Sequence, residues 1–254
     1  MVGVKKHLSV FCLIARSSIF KVILILVLSL IIQSAFFISE CNNAFGNEIL
    51  GSDYIPDLER VFSLSAANAW FAGTVCLITL LLCIHGCEFG SKCSYTVKRL
   101  SVSEISVFFT QAAYNATIFN ILLCSEIVLT FFLSGYFLSA APAEFISGQS
   151  VFLAFYRNEF LHSILPLEDI ILWIRNALLI CTFSLATAFF PLKHRRGKIS
   201  VAIFFIAVFS VIWNSGTIGA DFSVIVAIFI SLIMSAYILY YVIKISGEEP
   251  SYDS

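Results

Sequence analysis

Two charged residues stand where charge is expensive. Glu126 and Arg175 each sit within a long apolar stretch. In a membrane helix such a charge costs about 2.5–3.5 kcal/mol on insertion scales, so it needs a partner, a proton or water. By helix rise the two can lie about 6 Å apart in depth, a gap an arginine side chain can close. Such a pair would serve as a polar site on a substrate path or in a moving interface. It would equally serve as a buried pair that fixes helix packing, or Glu126 would carry a proton and bond a neighbouring backbone. Gln111, Asn115 and Asn120 recur at roughly helical spacing and are expected to share a face. They either line water near the inner surface or form interhelical hydrogen bonds.

Other reactive residue types fall short of a site. Cys83-Ile-His85-Gly-Cys87, with Cys93 beyond, gives only one half of the paired ligand spacing that zinc prefers. Glu159-Phe-Leu-His162 has a carboxylate–histidine spacing but stands alone. Neither predicts a metal, and no cofactor is expected. The chain has no Walker loop, no H-E-x-x-H and no G-x-S-x-G. An intramembrane enzyme would therefore have to use Glu126 with His85 or Arg175.

The elements that carry these residues follow from composition. Of 254 residues, 59% are hydrophobic and 12% are charged. Ordinary soluble domains carry about 45–50% apolar and about 25% charged residues. Too little polar surface remains to cover a soluble core of this kind, so an all-α integral membrane protein is expected. No basic stripe with interleaved aromatics marks a nucleic-acid surface. The eight cysteines fall mostly in apolar runs or basic loops, which argues against a secreted disulfide framework.

A helix needs about 20 mainly apolar residues to cross the hydrocarbon core. Six stretches qualify: 22–39, 66–85, 116–138, 170–190 (closed by Pro191), 199–213 and 222–245. With six spans, Lys5, Lys6, Arg16, Lys21, Lys92, Lys98, Arg99, Lys193, Arg195, Arg196, Lys198 and Lys244 all fall on one side. Only Arg60 and Arg157 fall on the other. Basic loops stay cytoplasmic, so both termini are expected inside. Trp70, Trp173 and Trp213 then lie near the outer ends of their spans, where indole rings favour the interface.

Residues 1–21 are read as a cytoplasmic, interfacial piece. Leu8, Phe11, Cys12 and Ala15 repeat at helical spacing, with Lys5, Lys6 and Arg16 free to meet headgroups. The alternative is an extension of the first span. A cleaved signal peptide is disfavoured because the apolar run exceeds the usual 7–15 residues or so. Residues 22–245 form the membrane domain, and the polar tail 246–254 is expected to be disordered.

Between the second and third spans, Ser101-Val-Ser-Glu104 is a capping-box pattern that starts a helix just after Leu100. That helix, run on to Leu138, would be about 55 Å long, so part of it must leave the membrane or bend near 111–115. Ahead of it stand Gly90-Ser91 and the amphipathic Tyr95-Thr-Val-Lys98-Arg99-Leu100.

Here the sequence resembles the membrane subunits of type-2 ABC exporters. Gly90-Ser91 stands where that family begins its coupling loop, Tyr95–Leu100 at its docking helix and Ser101-Val-Ser103 at its Ser-containing turn. Tyr95-x-x-x-Arg99-Leu100-Ser101-x-Ser103-Glu104 with Gln111-Ala-Ala-Tyr-Asn115 is similar to a small permease-like subfamily of Gram-positive anaerobes. The resemblance implies a permease subunit in a bacterial plasma membrane. It implies a separate ATP-binding cassette protein as partner, docked through Tyr95, Lys98, Arg99, Leu100, Ser101, Ser103 and Glu104. It also implies a homodimer or a heterodimer with a related permease. One departure is that the link between spans five and six, 214–221, lacks the family's long outer loop. From the residues alone the loop is equally a plain basic connector, and a membrane-embedded sensor or scaffold stays open beside the transporter. Gly216-x-x-Gly219 and Ser231-x-x-x-Ser235 offer close helix approach within the chain or in a dimer.

Overall fold

The computed structural model describes residues 2–46, 57–87, 103–141, 149–195, 197 and 221–248. Every regular element among them is a helix. Apolar side chains exclude water from these segments, so backbone N–H and C=O groups must be satisfied within each segment, and the helix does that. The elements are α1 (Val2–Gly46), α2 (Leu58–Leu64), α3 (Ala67–Gly86), α4 (Glu104–Ala140), α5 (Ser150–Arg157), α6 (Glu159–Ile164), α7 (Ile170–Arg195) and α8 (Asp221–Glu248).

Five of them, α1, α3, α4, α7 and α8, are long and apolar enough to cross a membrane. They answer to five of the expected spans. The span expected over 199–213 lies outside the described residues, as do the loop residues Tyr95, Lys98, Arg99, Leu100 and Ser101. Of the tail 246–254 expected to be disordered, 246–248 instead continue α8 to Glu248, and 249–254 lie outside the described residues.

Three boundaries differ from expectation. The surface helix expected before span one is not a separate element, because α1 runs unbroken for 45 residues, about 68 Å. No Pro or Gly interrupts residues 4–45, and Val10 and Ser18 are buried against other helices rather than turned to headgroups. The cap of α4 is Ser103 rather than Ser101: the Ser103 hydroxyl accepts from the Ser106 N–H at 3.4 Å, and Glu104 opens the first turn, where a negative charge suits the helix dipole. From there α4 runs 37 residues without a break at 111–115. Finally, Pro191 does not close α7, which continues to Arg195. Proline removes one backbone donor, to the carbonyl of residue 187, and membrane helices tolerate this when neighbours pack around it.

Side-chain contacts fix the direction of each helix. Ser17 meets His85, Ser29 meets Thr74 and Phe36 meets Trp70, so α1 and α3 are antiparallel. Ser18 meets Tyr114, Gln33 meets Glu126 and Phe45 meets Phe137, so α1 and α4 are parallel. Asn115 meets Thr187 and Phe119 meets Phe183, so α4 and α7 are antiparallel. Thr182 meets Ser231 and Ser235 while Phe189 meets Tyr237 and Tyr241, so α7 and α8 run parallel. The start of α1 and the end of α8 therefore lie at the same end of the bundle.

An apolar belt encircles it. On α1 the exposed large apolar side chains run from Phe20 to Phe36, about 24 Å of helix. On α3, Leu77, Leu80 and Ile84 are exposed at the matching levels. The short helices α2, α5 and α6 cover one end, where Phe37 packs on Phe62 and Phe131 stacks on Phe155. At the opposite end α1 and α4 run on past the end of α3, and Val10 packs on Val107. From Ser17, level with His85, to Val10 is about 10 Å of projection.

Candidate functional site: polar clusters inside the bundle

One face of α4 organises the buried polar groups. Gln111, Asn115, Glu126, Thr130 and Ser134 are buried there, and Ile118, Phe119 and Leu122 fill the same face between Asn115 and Glu126. The face thus reads polar, apolar, polar. Asn120 departs from the expectation: it is exposed, and its Nδ2 donates back to the Ala116 carbonyl at 2.8 Å. Five residues turn a helix by about 500°, so Asn120 points about 140° away from Asn115. Thr130 and Ser134 donate to carbonyls one turn back, of Ile127 and Thr130, so they present little unsatisfied polarity.

At the covered end the two intramembrane charges do not pair. Glu126 Oε1 accepts from Gln33 Nε2 at 2.5 Å, across the α1–α4 seam. Arg175 Nη2 donates to Ser163 Oγ at 2.8 Å and to the Ser163 carbonyl at 3.3 Å. Its Nε and Nη2 also reach Asn176 Oδ1, at 3.3 and 3.0 Å. Asn176 Nδ2 donates to the same Ser163 carbonyl at 2.8 Å. The register of α4 on α7 puts Glu126 level with Asn176, so Glu126 and Arg175 differ by one residue, about 1.5 Å, in depth rather than the expected 6 Å or so. The side chains diverge because α6 offers Arg175 a set of neutral acceptors. Glu126 lies on the inner side of exposed Phe132 by six residues, about 9 Å, in the part of the belt nearer the covered end.

At the other end Asn115 Nδ2 donates to Thr187 Oγ1 at 2.8 Å, an interhelical bond rather than a water-lining group. Ser18 Oγ lies 2.8 Å from Tyr114 Oη. Ser17 Oγ lies 2.8 Å from the Ile14 carbonyl and 2.5 Å from His85 Nε2. His85, level with Ser17, is sixteen α1 residues, about 24 Å, from the level of Gln33 and Glu126. The titratable pair that an intramembrane enzyme would need is therefore not assembled from Glu126 with His85 or with Arg175. Lys193 Nζ sits over three rings of α7 and α8, 5.0 Å from the Phe189 centroid, 5.5 Å from Tyr237 and 4.8 Å from Tyr241, and donates to Tyr237 Oη at 3.3 Å.

The expected small-residue contact is used inside the chain: Thr182 of α7 donates to the Ser231 carbonyl at 3.2 Å and lies 3.0 Å from Ser235 Oγ. Gly216 and Gly219 lie outside the described residues. Of the coupling-loop residues, Ser103 and Glu104 are placed at the start of α4. The sequence signal missed Gln33, Ser163, Asn176, Thr187 and Lys193. Gln33, a lone amide in the middle of an apolar run, carried the same signal as Glu126, while serine and threonine are too common in membrane helices to stand out.

Fold and interior together define an all-α membrane protein with several transmembrane helices. No family model, curated protein or solved structure matches the chain.

Proposed function

We propose that this chain is the membrane-spanning permease subunit of an ABC-type transporter, coupled to a separate ATP-binding cassette protein through the loop between spans two and three, with Tyr95, Lys98, Arg99, Leu100, Ser101, Ser103 and Glu104 as its coupling residues. The observation that carries this reading is the projection of α1 and α4 past the end of α3. The two ends of the coupling segment, Cys87 and Ser103, belong to that end of the bundle. A force applied there would act directly on α4, a rigid rod whose interior face carries Gln111, Asn115 and Glu126. The same end carries exposed Lys21 and Lys244 and the Lys193–Arg195 terminus of α7, which favours a cytoplasmic assignment under the positive-inside rule. The parallel run of α7 and α8 favours six spans with both termini inside, since two parallel membrane helices in sequence require a return between them. On this reading the protein resides in a bacterial plasma membrane and works as a homodimer or with a related permease. Gln111, Asn115, Glu126 and Arg175 are the interior polar positions of the path or gate, and the apolar band Ile118–Leu122 separates its two halves.

A second reading, a membrane-embedded sensor or scaffold, draws on that same apolar band, because a protein that moves no substrate needs no continuous polar path. Mild-detergent purification from the native host, with mass spectrometry of co-purifying proteins, separates the two. The permease reading expects a near-stoichiometric ATP-binding cassette protein that is lost on Leu100→Asp or Arg99→Glu. Absence of any such protein after cross-linking sinks it in favour of the scaffold.

A further inference from the structure

At the α1–α4 seam a carboxyl and an amide meet with one donor too few. Gln33 is 0% exposed and Glu126 is 3% exposed. Gln33 Nε2 donates to Glu126 Oε1, while Gln33 Oε1 is buried without a hydrogen-bond partner. Turning the amide over does not help: its oxygen would then face a carboxylate oxygen, and its nitrogen would take the unpartnered place.

Among the described residues no Lys, Arg or His lies within ion-pair distance of Glu126. On α1 the facing group is Gln33. On α7 the charged group at this level is Arg175, bonded to Ser163 and Asn176. On α3 the nearest level is set by Thr74, which meets Ser29, and by Trp70. On α6, His162 is turned to Asp169 at 3.1 Å. The sequence from 199 to 220 contains no Lys, Arg or His. An ionised carboxylate held here against a neutral amide would bear an uncompensated desolvation cost. An orphaned buried acceptor adds its own.

One proton removes both. We propose that Glu126 is a proton-binding site of the membrane interior: its carboxyl O–H donates to Gln33 Oε1 while Gln33 N–H donates to the other carboxyl oxygen. The two hydrogen bonds close a ring between α1 and α4. Uptake takes one proton from water and neutralises the carboxylate, and release returns it, with no other bond made or broken. Release leaves two acceptor oxygens face to face, so it loosens α1 from α4 at this level. Proton occupancy is thereby linked to the packing of two helices. The proposal stands independently of any ATPase partner.

Infrared difference spectroscopy of the full-length protein in lipid nanodiscs at neutral pH tests it. The expected spectrum contains a protonated-carboxyl C=O band that shifts in D2O and is lost in Glu126→Gln. That variant keeps an amide–amide pair with both hydrogen bonds and should fold. Gln33→Leu, with Glu126 intact, should move the same band to higher frequency because the O–H then loses its acceptor. Loss of carboxylate bands rather than a carboxylic-acid band in Glu126→Gln would overturn the proposal. So would a Glu126 band that does not move in Gln33→Leu.

Discussion

Asn158 Nδ2 donates to the carbonyl oxygen of Glu59 at 2.9 Å, joining segments 99 positions apart in sequence. The same amide donates to Ser63 Oγ at 3.1 Å, and its oxygen accepts from the N–H groups of Phe160 and Leu161 at 3.0 and 3.1 Å. Asn158 is thus at once the N-cap of α6 and the tie from α6 to α2. Only a side chain with both a donor and an acceptor can do both.

Replacing it separates the two roles. Asn158→Asp keeps the acceptor for the cap and loses both donors, and it should lower stability by about 1 kcal/mol. Asn158→Ala loses cap and tie together and should cost about 2 kcal/mol or more. Denaturation in detergent micelles, followed by circular dichroism, measures both. Equal losses in the two variants would show that the cap contributes nothing.

Ala66, between α2 and α3, has φ of 51°, the left-handed region that disfavours a Cβ. It is exposed, so its methyl group packs on little. Ala66→Gly should therefore stabilise the protein by up to about 1 kcal/mol, the relieved strain offset in part by the freer unfolded chain. A clear loss of stability in the same denaturation experiment would mean that the α2–α3 turn adopts another conformation in the membrane.

The Lys193 ammonium joins α7 to α8 through three aromatic faces. Desolvated cation–π contacts reach about 2 kcal/mol. Lys193→Met keeps an apolar stem of similar length and removes the charge, so it should cost about 1–2 kcal/mol and loosen α8 from α7. Tyr241→Phe keeps the ring face and should change stability little. If Tyr241→Phe costs as much as Lys193→Met, the phenol rather than the ring is what holds the helices.

Five of the spans were legible because length and apolar character are properties of each segment alone. Residues 66–85 became α3, Ala67–Gly86, and 222–245 became the centre of α8, Asp221–Glu248. What was not legible depends on which helices touch and in what register. The Glu126–Arg175 pair is plausible by depth, yet Arg175 finds Ser163 on α6, a helix of six residues and too short to stand out in the sequence, and Glu126 finds Gln33, 93 positions away. Residues 8–20 look amphipathic in isolation. Val10, Phe11, Leu13 and Ile14 pack toward α4 rather than a membrane surface, because α4 projects far enough to cover them, with Phe11 on Tyr114 at 5.5 Å, while Cys12 and Phe20 are exposed. Asn120 was misplaced by arithmetic of the helix itself: a step of five residues leaves the face that a step of four keeps.

The directions of the helices make a prediction about the whole chain. α1 and α4 point one way, and α3, α7 and α8 point the other, with α7 and α8 parallel although they follow one another in sequence. The N- and C-terminal ends of the chain should then emerge on the same side of the bilayer. Protease-cleavable tags at both termini should be cut together in vesicles of one orientation and protected together in the other. The basic residues Lys21, Lys193 and Lys244 sit at that end, so the cut orientation should be the one that exposes the cytoplasmic face. Opposite protection of the two tags would require α8 to be antiparallel to α7. It would then break the Thr182–Ser235 and Phe189–Tyr241 contacts together, since no single register satisfies both with α8 reversed.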